Sequence, residues 1–362
     1  MSRQDIYYWK CDRPAAFHGT QERDGAAVNE VPIEAPLAAA LREHFGTSAI
    51  TLSPGAGQGN HLTWNADIDG QPLFIRVENG PEQDGQLAVE SALLDRVRAL
   101  GVPTPRVLGV DATRSRVPFA WQALERIDAP DLNHWHKQGT LDAPRIAFDI
   151  GAAVATWQQL TFPGFGPLHG ATGLQGWHAR YADYHWLQLQ RHLDFLVARQ
   201  FLTDAQGREL LTAFEDHGDL LNLDIGVFVH KDLALWNVLG STNRIAAFID
   251  FDDAISGDAM DDLSLLACFH DAAFLQHAFA GYRSLRPLPA NALPRLWLHL
   301  MRNMIVKSVI RVGAGYFERD SGFFLIGAKA SGASLREFTL TRLMTALHGL
   351  RKAGSLELLS NP

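Results

Sequence analysis

The stretch Val227 to Leu263, VFVHKDLALWNVLGSTNRIAAFIDFDDAISGDAMDDL, constrains this chain more than any other. Its apolar runs are separated by short polar turns, and His230, Asp232, Asn237 and Asp250 fall on the turns. Catalytic groups are commonly held this way, on loops positioned by a rigid scaffold. Ile225 to Val229 reads as a buried strand that delivers His230, Lys231 and Asp232 to a loop. Val238 to Gly240 and Arg244 to Ile249 read as two arms of a hairpin around the polar turn Ser241-Thr242-Asn243. Asn237, just before the first arm, and Asp250, just after the second, then meet at its open end. An amide oxygen and a carboxylate there can share a hard cation such as magnesium. Asp232 precedes them on the same loop, placed to accept a proton from a hydroxyl attacking a phosphoryl group.

With 362 residues, 47% of them hydrophobic, the chain can bury a sizeable core and is expected to divide into two lobes. The formal net charge is -8 and no block of like charges occurs, which argues against a nucleic-acid partner recognised by electrostatics. Cys11 and Cys268 are far apart and in neither a metal-binding nor a redox spacing, so reduced thiols are expected. No run approaches the ~18 apolar residues that cross a bilayer, and MSRQDIYYWKCDRP lacks the apolar core of a signal peptide. A cytoplasmic protein without a membrane partner is therefore expected.

Residues 1–45 read as an N-terminal extension with a short helix, roughly Ala35 to His44, started near Pro36. The cluster Tyr7, Tyr8, Trp9 is expected to pack the extension onto the body, the lesser alternatives being that it covers a pocket or forms a partner surface. From Ala49 the pattern changes to strands: AITLSPG, NHLTWNADIDG and QPLFIRVE, with a hairpin turn at Asp69-Gly70. Between the first two lies Gly55-Ala56-Gly57-Gln58-Gly59-Asn60. Such a loop lets backbone N–H groups approach phosphate oxygens, although a plain Gly-rich turn has the same look. It is not a P-loop, because no Gly-Lys-Ser/Thr follows.

Arg76 lies in the third strand and Glu90 in a helix from about Gly85 to Leu100, ended by Gly101. Paired, they would hold a phosphate-binding cation in place. Unpaired, they are a strand-edge residue and helix surface. VPTPRVLGVD reads as an extended connector, and PFAWQALERIDA as a strand centred on Trp121 to Ile127 that links two lobes. Beyond it helix-like spacing dominates, in RIAFDIGAAVATWQQL, HWLQLQRHLDFLVARQ, DAQGRELLTAFEDHG, PRLWLHLMRNMIVKSVIRVG and SLREFTLTRLMTALHGLRK. His134 and His136 are expected to be solvated rather than metal ligands. Trp177, Tyr181, Tyr184 and Trp186 are expected to serve helix packing.

Taken together, the Gly-rich loop, strand cation, helix Glu, HKDLALWN and IDFDD resemble the protein-kinase-like fold, most closely the aminoglycoside phosphotransferase and choline kinase group of small-molecule kinases. That group's pattern is His-Gly-Asp-Leu-x-x-x-Asn, Ile-Asp-Phe/Trp and Gly-Asp-Pro-x-x-Asp-Leu. Here it reads His230-Lys231-Asp232-Leu233 to Asn237, Ile249-Asp250-Phe251, and Gly257-Asp258-Ala259-Met260-Asp261-Asp262-Leu263. The resemblance runs over about Thr51 to Leu263.

It implies an α+β, two-lobe fold: a small N-terminal lobe, 46–127, with an antiparallel sheet and one helix, and a larger, mainly helical C-terminal lobe, 128–362. It implies transfer of the ATP γ-phosphate to a small-molecule hydroxyl, with Asp232 as base and Asn237 and Asp250 as magnesium ligands. Gly55, Gly57, Gly59 and Asn60 would face the phosphates, Arg76 would contact them and pair with Glu90, and the backbone of Leu124, Glu125 and Arg126 would meet adenine. His230 would brace the loop. Three departures stand out: Lys231 for glycine, Arg76 where lysine is commoner, and Ala259 for proline. The acceptor, an aminoglycoside-like compound, an amino alcohol or a sugar, is left open, with Lys231, His270, Asp271 and Arg302 as candidate contacts and Trp297, Asn303 and Lys307 nearby guesses. A nucleotide-binding scaffold is the alternative. A protein kinase fits less well, since no Ala-Pro-Glu segment follows Asp250.

Overall fold

Strand alternation and a two-residue turn generate the first sheet. The computed structural model describes residues 2–12, 33–55, 61–78, 83–320 and 331–360. β1 (Ile50–Pro54), β2 (His61–Ile68), β3 (Gln71–Glu78), β4 (Val107–Asp111) and β5 (Trp121–Glu125) pair antiparallel in the order β1-β2-β3-β5-β4. Ile68 pairs with Gln71, and the intervening Asp69 and Gly70 have φ of 53° and 80°, the positive pair that closes a two-residue hairpin without splaying its strands. β4 corrects the reading of VPTPRVLGVD as a connector only. Its prolines precede the strand, and β4 sits at the sheet edge, where a missing N–H leaves no central ladder unpaired.

Alternate residues of β3 and β5 point to opposite faces. On one, Leu73, Ile75, Val77 and Ala123 join Leu37 and Leu41 of α2 (Glu34–Phe45) in a small core; α1 (Trp9–Asp12) is a single turn. α3 (Gln86–Ala99) covers the other. Its Ser91 accepts from Gln122 Nε2 at 2.8 Å, and Val89, Leu93 and Val97 join the large core with Leu124. Gly101, at φ 86°, closes α3 in the left-handed conformation that favours glycine.

The remainder is mainly helical. α4 (Leu132–Lys137) and α5 (Ala143–Trp157) lead to β6 (Thr161–Phe162), β7 (Phe165–His169) and β8 (Gln175–His178). α6 (Tyr181–His185), α7 (Leu189–Ala198) and α8 (Asp204–Asp216) follow, then β9 (Gly226–Val229), β10 (Val238–Ser241), β11 (Arg244–Phe248) and β12 (Ile255–Gly257). α9 (Asp261–Ala267), α10 (Ala272–Leu285), α11 (Ala292–Gly313) and α12 (Gly332–Lys352) complete the order. A second sheet, β6-β9-β12-β7-β8, and the hairpin β10-β11 frame the polar turns of the central stretch.

Several local expectations change here. The helix read across residues 185–200 is broken at Gln188, whose φ of 58° is incompatible with a continuous helix. α10 has no counterpart in the sequence reading, nor do the short strands β6, β7, β8 and β12. Trp177 lies on β8, more than a third exposed, whereas Tyr181 and Tyr184 are fully buried. α5 and α10 cross so closely that a Cβ on Gly151 would fall 1.8 Å from the Ala278 carbonyl oxygen, which explains glycine in mid-helix. Among the described residues no helix is long and apolar enough to cross a membrane.

Candidate active site

The loop after β9 is built around buried Asp262. Its carboxylate accepts the backbone N–H groups of His230 and Lys231, each at 3.1 Å, and the indole N–H of Trp157 at 3.1 Å. His230 spans the loop. Its Nδ1 accepts from the Asp232 N–H at 3.3 Å, so the neutral ring carries its proton on Nε2 and donates it to the Ile249 carbonyl at 2.9 Å. Burial holds the imidazole below its ordinary pKa, which suits this neutral bracing form.

Lys231 has φ 68°, in the left-handed region, and this accounts for the glycine usual at that position. Its buried ammonium lies 2.7 Å from Asp261 Oδ2, 3.2 Å from Asn303 Oδ1 and 3.0 Å from the Tyr7 hydroxyl. Burial alone would lower its pKa, but Asp261 and Tyr7 outweigh that and raise it.

Asp232 follows, 3% exposed. Oδ1 accepts from the Tyr8 hydroxyl at 2.8 Å and from Lys307 Nζ at 3.1 Å. Oδ2 accepts from Lys10 Nζ at 2.7 Å and from Asn237 Nδ2 at 3.1 Å. Burial would push this carboxyl up; Lys10 and Lys307 overcome it and hold the group far below the usual carboxylate range. Burial and the neighbouring Asp232 raise the Tyr8 phenol well above its ordinary value, so it remains a neutral hydroxyl donor.

Val238 pairs with Phe248 and the Ile249 N–H donates to the Asn237 carbonyl at 3.0 Å, so the hairpin brings Asn237 and the Ile249-Asp250 end together. Asp250 has φ 66°. Arg76 reaches it across the cleft: one guanidinium nitrogen donates to Glu90 Oε2, the other to Asp250 Oδ1 at 3.1 Å, with His61 Nδ1 at 2.8 Å. Glu90 Oε1 also accepts the Phe251 N–H at 3.0 Å, tying α3 to the turn that carries Asp250. Arg76 is buried, yet Glu90 and Asp250 outweigh the desolvation and raise its pKa.

Lys10 Nζ occupies the centre of the acidic group, 2.7 Å from Asp232, 3.9 Å from Asp250 and 3.9 Å from Asp253. A cationic side chain thus already sits among three carboxylates, and an oxygen donor set of this kind fits a hard divalent ion.

Sequence reasoning placed Tyr8 only in a packing cluster, did not find Lys10 or Asp253, and offered Lys307 only as a guess. Tyr7, Tyr8 and Trp9 pack the extension onto the body as expected, all three being buried, and Tyr8 in addition bonds to Asp232. No spacing ties residues 8 and 10 to residue 232; the juxtaposition is tertiary. Of the Gly-rich loop, Gly55 is paired to Thr63 at the neck of β1 and β2, while Gly57, Gly59 and Asn60 lie outside the described residues. Leu124 is inside β5, Glu125 accepts from Arg106, and Arg126 is exposed. The acceptor candidates scatter. Asp271 caps α10 by accepting the Phe274 N–H at 3.0 Å, and His270 stacks on Phe274. Arg302 donates to the carbonyls of His185 and Leu187, Trp297 donates to the Gly354 carbonyl, and Asn303 binds Asp261.

Residues 51–295 match the model of the phosphotransferase enzyme family. Among solved structures, a thermostable mutant of aminoglycoside phosphotransferase APH(4)-Ia, in a ternary complex with AMP-PNP and hygromycin B, is 18% identical. The match covers 88% of this chain and 99% of that one, with a TM-score of 0.58. A putative fructosamine-3-kinase from Haemophilus somnus 129PT is 14% identical over 85% and 96% of the two chains, TM-score 0.56. Macrolide 2'-phosphotransferase MphH from Brachybacterium faecium is 16% identical over 84% and 97%, TM-score 0.54. These are likenesses of fold. No curated protein matches the chain significantly.

Proposed function

The chain belongs to the phosphotransferase enzyme family, and on that footing we propose that it transfers the γ-phosphate of ATP to a hydroxyl of a small molecule, with Asp232 as the base. One observation carries the assignment: a hydroxyl, that of Tyr8, already donates to Asp232 Oδ1 at 2.8 Å beside a cation held by acidic groups. An acceptor hydroxyl taking that place would hand its proton to Oδ1 as its oxygen bonds to the γ-phosphorus and the bond to ADP breaks. Phosphoryl transfer asks mainly for positioning and charge stabilisation, which a fixed carboxylate and neighbouring cations supply.

Asn237 and Asp250 would hold magnesium. The Asn237 amide nitrogen is committed to Asp232, which leaves Oδ1 as the atom that a cation would use, and Asp253 adds a further oxygen. Bound there, the ion would neutralise charge on the phosphates. Arg76, steadied by Glu90, would take the phosphate oxygens, Gly55, Gly57, Gly59 and Asn60 would cover them, and the backbone from Leu124 to Arg126 would receive adenine. The AMP-PNP in the APH(4)-Ia complex supports a nucleotide donor, and its hygromycin B a small hydroxylated acceptor. Buried free thiols at Cys11 and Cys268 suit the reducing cytoplasm.

The test is ADP release with ATP and magnesium across a panel of aminoglycosides, amino alcohols and sugars. Acceptor-dependent turnover is expected. The occupancy of Asp232 by Lys10 and Lys307 favours a second reading, a nucleotide-binding scaffold, which nucleotide binding without turnover on any acceptor would support.

A further inference from the structure

Residues 2–12 lie across the cleft that this reaction needs open. Ile6, Tyr7, Tyr8, Trp9, Cys11 and Asp12 are buried. Asp12 Oδ2 folds the segment by accepting the N–H groups of Tyr7 and Tyr8, each at 3.0 Å. The body then grips it. Tyr184 donates its hydroxyl to the Tyr7 carbonyl at 2.7 Å, the Arg302 guanidinium lies 3.7 Å from the Tyr7 ring centroid, and Arg3 pairs with Asp84 and Asp252.

Cys11, Asp12 and His192 form a buried cluster with the look of a metal site, but the bonding makes it an anchor. His192 Nδ1 accepts from Arg302 at 3.0 Å, so Nε2 carries the proton and donates it to Asp12 Oδ1 at 2.5 Å. A nitrogen so protonated has no lone pair for a metal.

Two side chains of the docked segment stand in functional places. The Tyr8 hydroxyl is where an acceptor hydroxyl must stand to give its proton to Asp232. The Lys10 ammonium pairs with the proposed base Asp232 and lies 3.9 Å from each of Asp250 and Asp253, carboxylates that would help hold the metal. Both oxygens of Asp232 are occupied, so an acceptor cannot reach the base while Tyr8 remains.

We propose that residues 2–12 are an intramolecular substrate mimic that closes the acceptor site at rest, Tyr8 taking the acceptor's place and Lys10 the cation's. This rests on the reading of Asp232 as base. Lys10 has about a third of its side chain exposed (31%), and a metal-bound nucleotide that displaces its ammonium loosens the backbone of the docked segment with it. Tyr8 is 3% exposed and leaves only by withdrawal of its backbone. A small cavity remains between the segment and Asp252 to Ile255, so the two surfaces are not fully packed together.

The experiment uses the full chain and needs no turnover. Affinity for manganese in the presence of AMP-PNP is read by electron paramagnetic resonance in the wild type, in Tyr8→Phe/Lys10→Ala, and in Lys10→Ala alone should the double variant fold poorly. Removing the occupant is expected to tighten manganese binding about tenfold, because a closed state lowers apparent affinity by the fraction that is open. Lys10→Arg, which keeps the cation, is expected to bind as the wild type does. In the wild type, hydrogen-exchange protection of residues 7–12 should fall when manganese and AMP-PNP bind. Unchanged or weaker manganese binding in the variants overturns the proposal, as does protection that stays the same. Failure of Asp232 as base would show separately, as phosphotransfer that survives Asp232→Asn.

Discussion

Lys231 Nζ sits 2.7 Å from Asp261 Oδ2 with both side chains buried, and the lysine holds a left-handed backbone, φ 68°, to make that contact. The strain is of the order of 1–2 kcal/mol for a non-glycine residue, smaller than the ~3–5 kcal/mol lost when one partner of a buried pair is removed. Lys231→Gly is therefore expected to destabilise the protein by about 2–3 kcal/mol in urea unfolding despite relieving the backbone. Adding Asp261→Asn should recover part of the loss. A Lys231→Gly protein as stable as the wild type would show that losing the pair costs no more than the backbone strain the glycine relieves.

Arg76 bridges Glu90 on α3 and Asp250 on the turn after β11 with separate nitrogens, which a lysine's single ammonium cannot reproduce. Arg76→Lys is expected to raise the KM for ATP about tenfold, corresponding to ~1.4 kcal/mol, while moving the acceptor's KM less. Initial rates with each substrate varied in turn decide it. Equal effects on both would place Arg76 outside the nucleotide half.

Asp262 accepts three N–H groups that fix the loop bearing Asp232. An asparagine has one acceptor oxygen and turns an NH2 toward those donors. Asp262→Asn is expected to lose about 1.5–3 kcal/mol of stability and to lower kcat more than it changes the KM for ATP. Thermal melts with steady-state kinetics test both halves.

Burial holds the His270 imidazole down to about 3, against ~6.5 in an unfolded chain. Below pH 6.5 the unfolded chain takes up a proton that the folded one refuses, so stability falls as pH drops from about 6.5 toward 3 and is fully present above that window. The slope for one such group reaches about 1.4 kcal/mol per pH unit. His270→Gln should therefore lose about 2 kcal/mol less than the wild type between pH 7 and pH 5 in chemical denaturation. Identical pH dependence would contradict the burial argument.

The half of the site built by local sequence is legible in the chain itself. The β9 loop, the β10-β11 hairpin and the Asp69-Gly70 turn are short-range structures whose turn chemistry is written in adjacent residues. The Arg76 and Glu90 pair was reachable because a strand and the helix after it pack together. Asp261 and Asp262 were visible as a motif, but their roles were not, since these depend on which loop N–H groups α9 faces. Tyr8 showed only as part of an aromatic cluster and Lys10 not at all, and neither could be tied to Asp232, because 224 and 222 residues separate them from it and only tertiary packing joins them. β6, β7, β8 and β12 were missed as well; strands of two to five residues carry too little alternation to be read.

The most direct test is transfer of label from γ-labelled ATP to an acceptor identified in the panel, compared between wild type and Asp232→Asn. The substitution also weakens the hold on Tyr8 and Lys10, so any opening it causes works against a loss of rate. At least a hundredfold fall in transfer is expected, on the order of what a general base supplies, with AMP-PNP still bound. Transfer by Asp232→Asn at the wild-type rate would contradict Asp232 as the base.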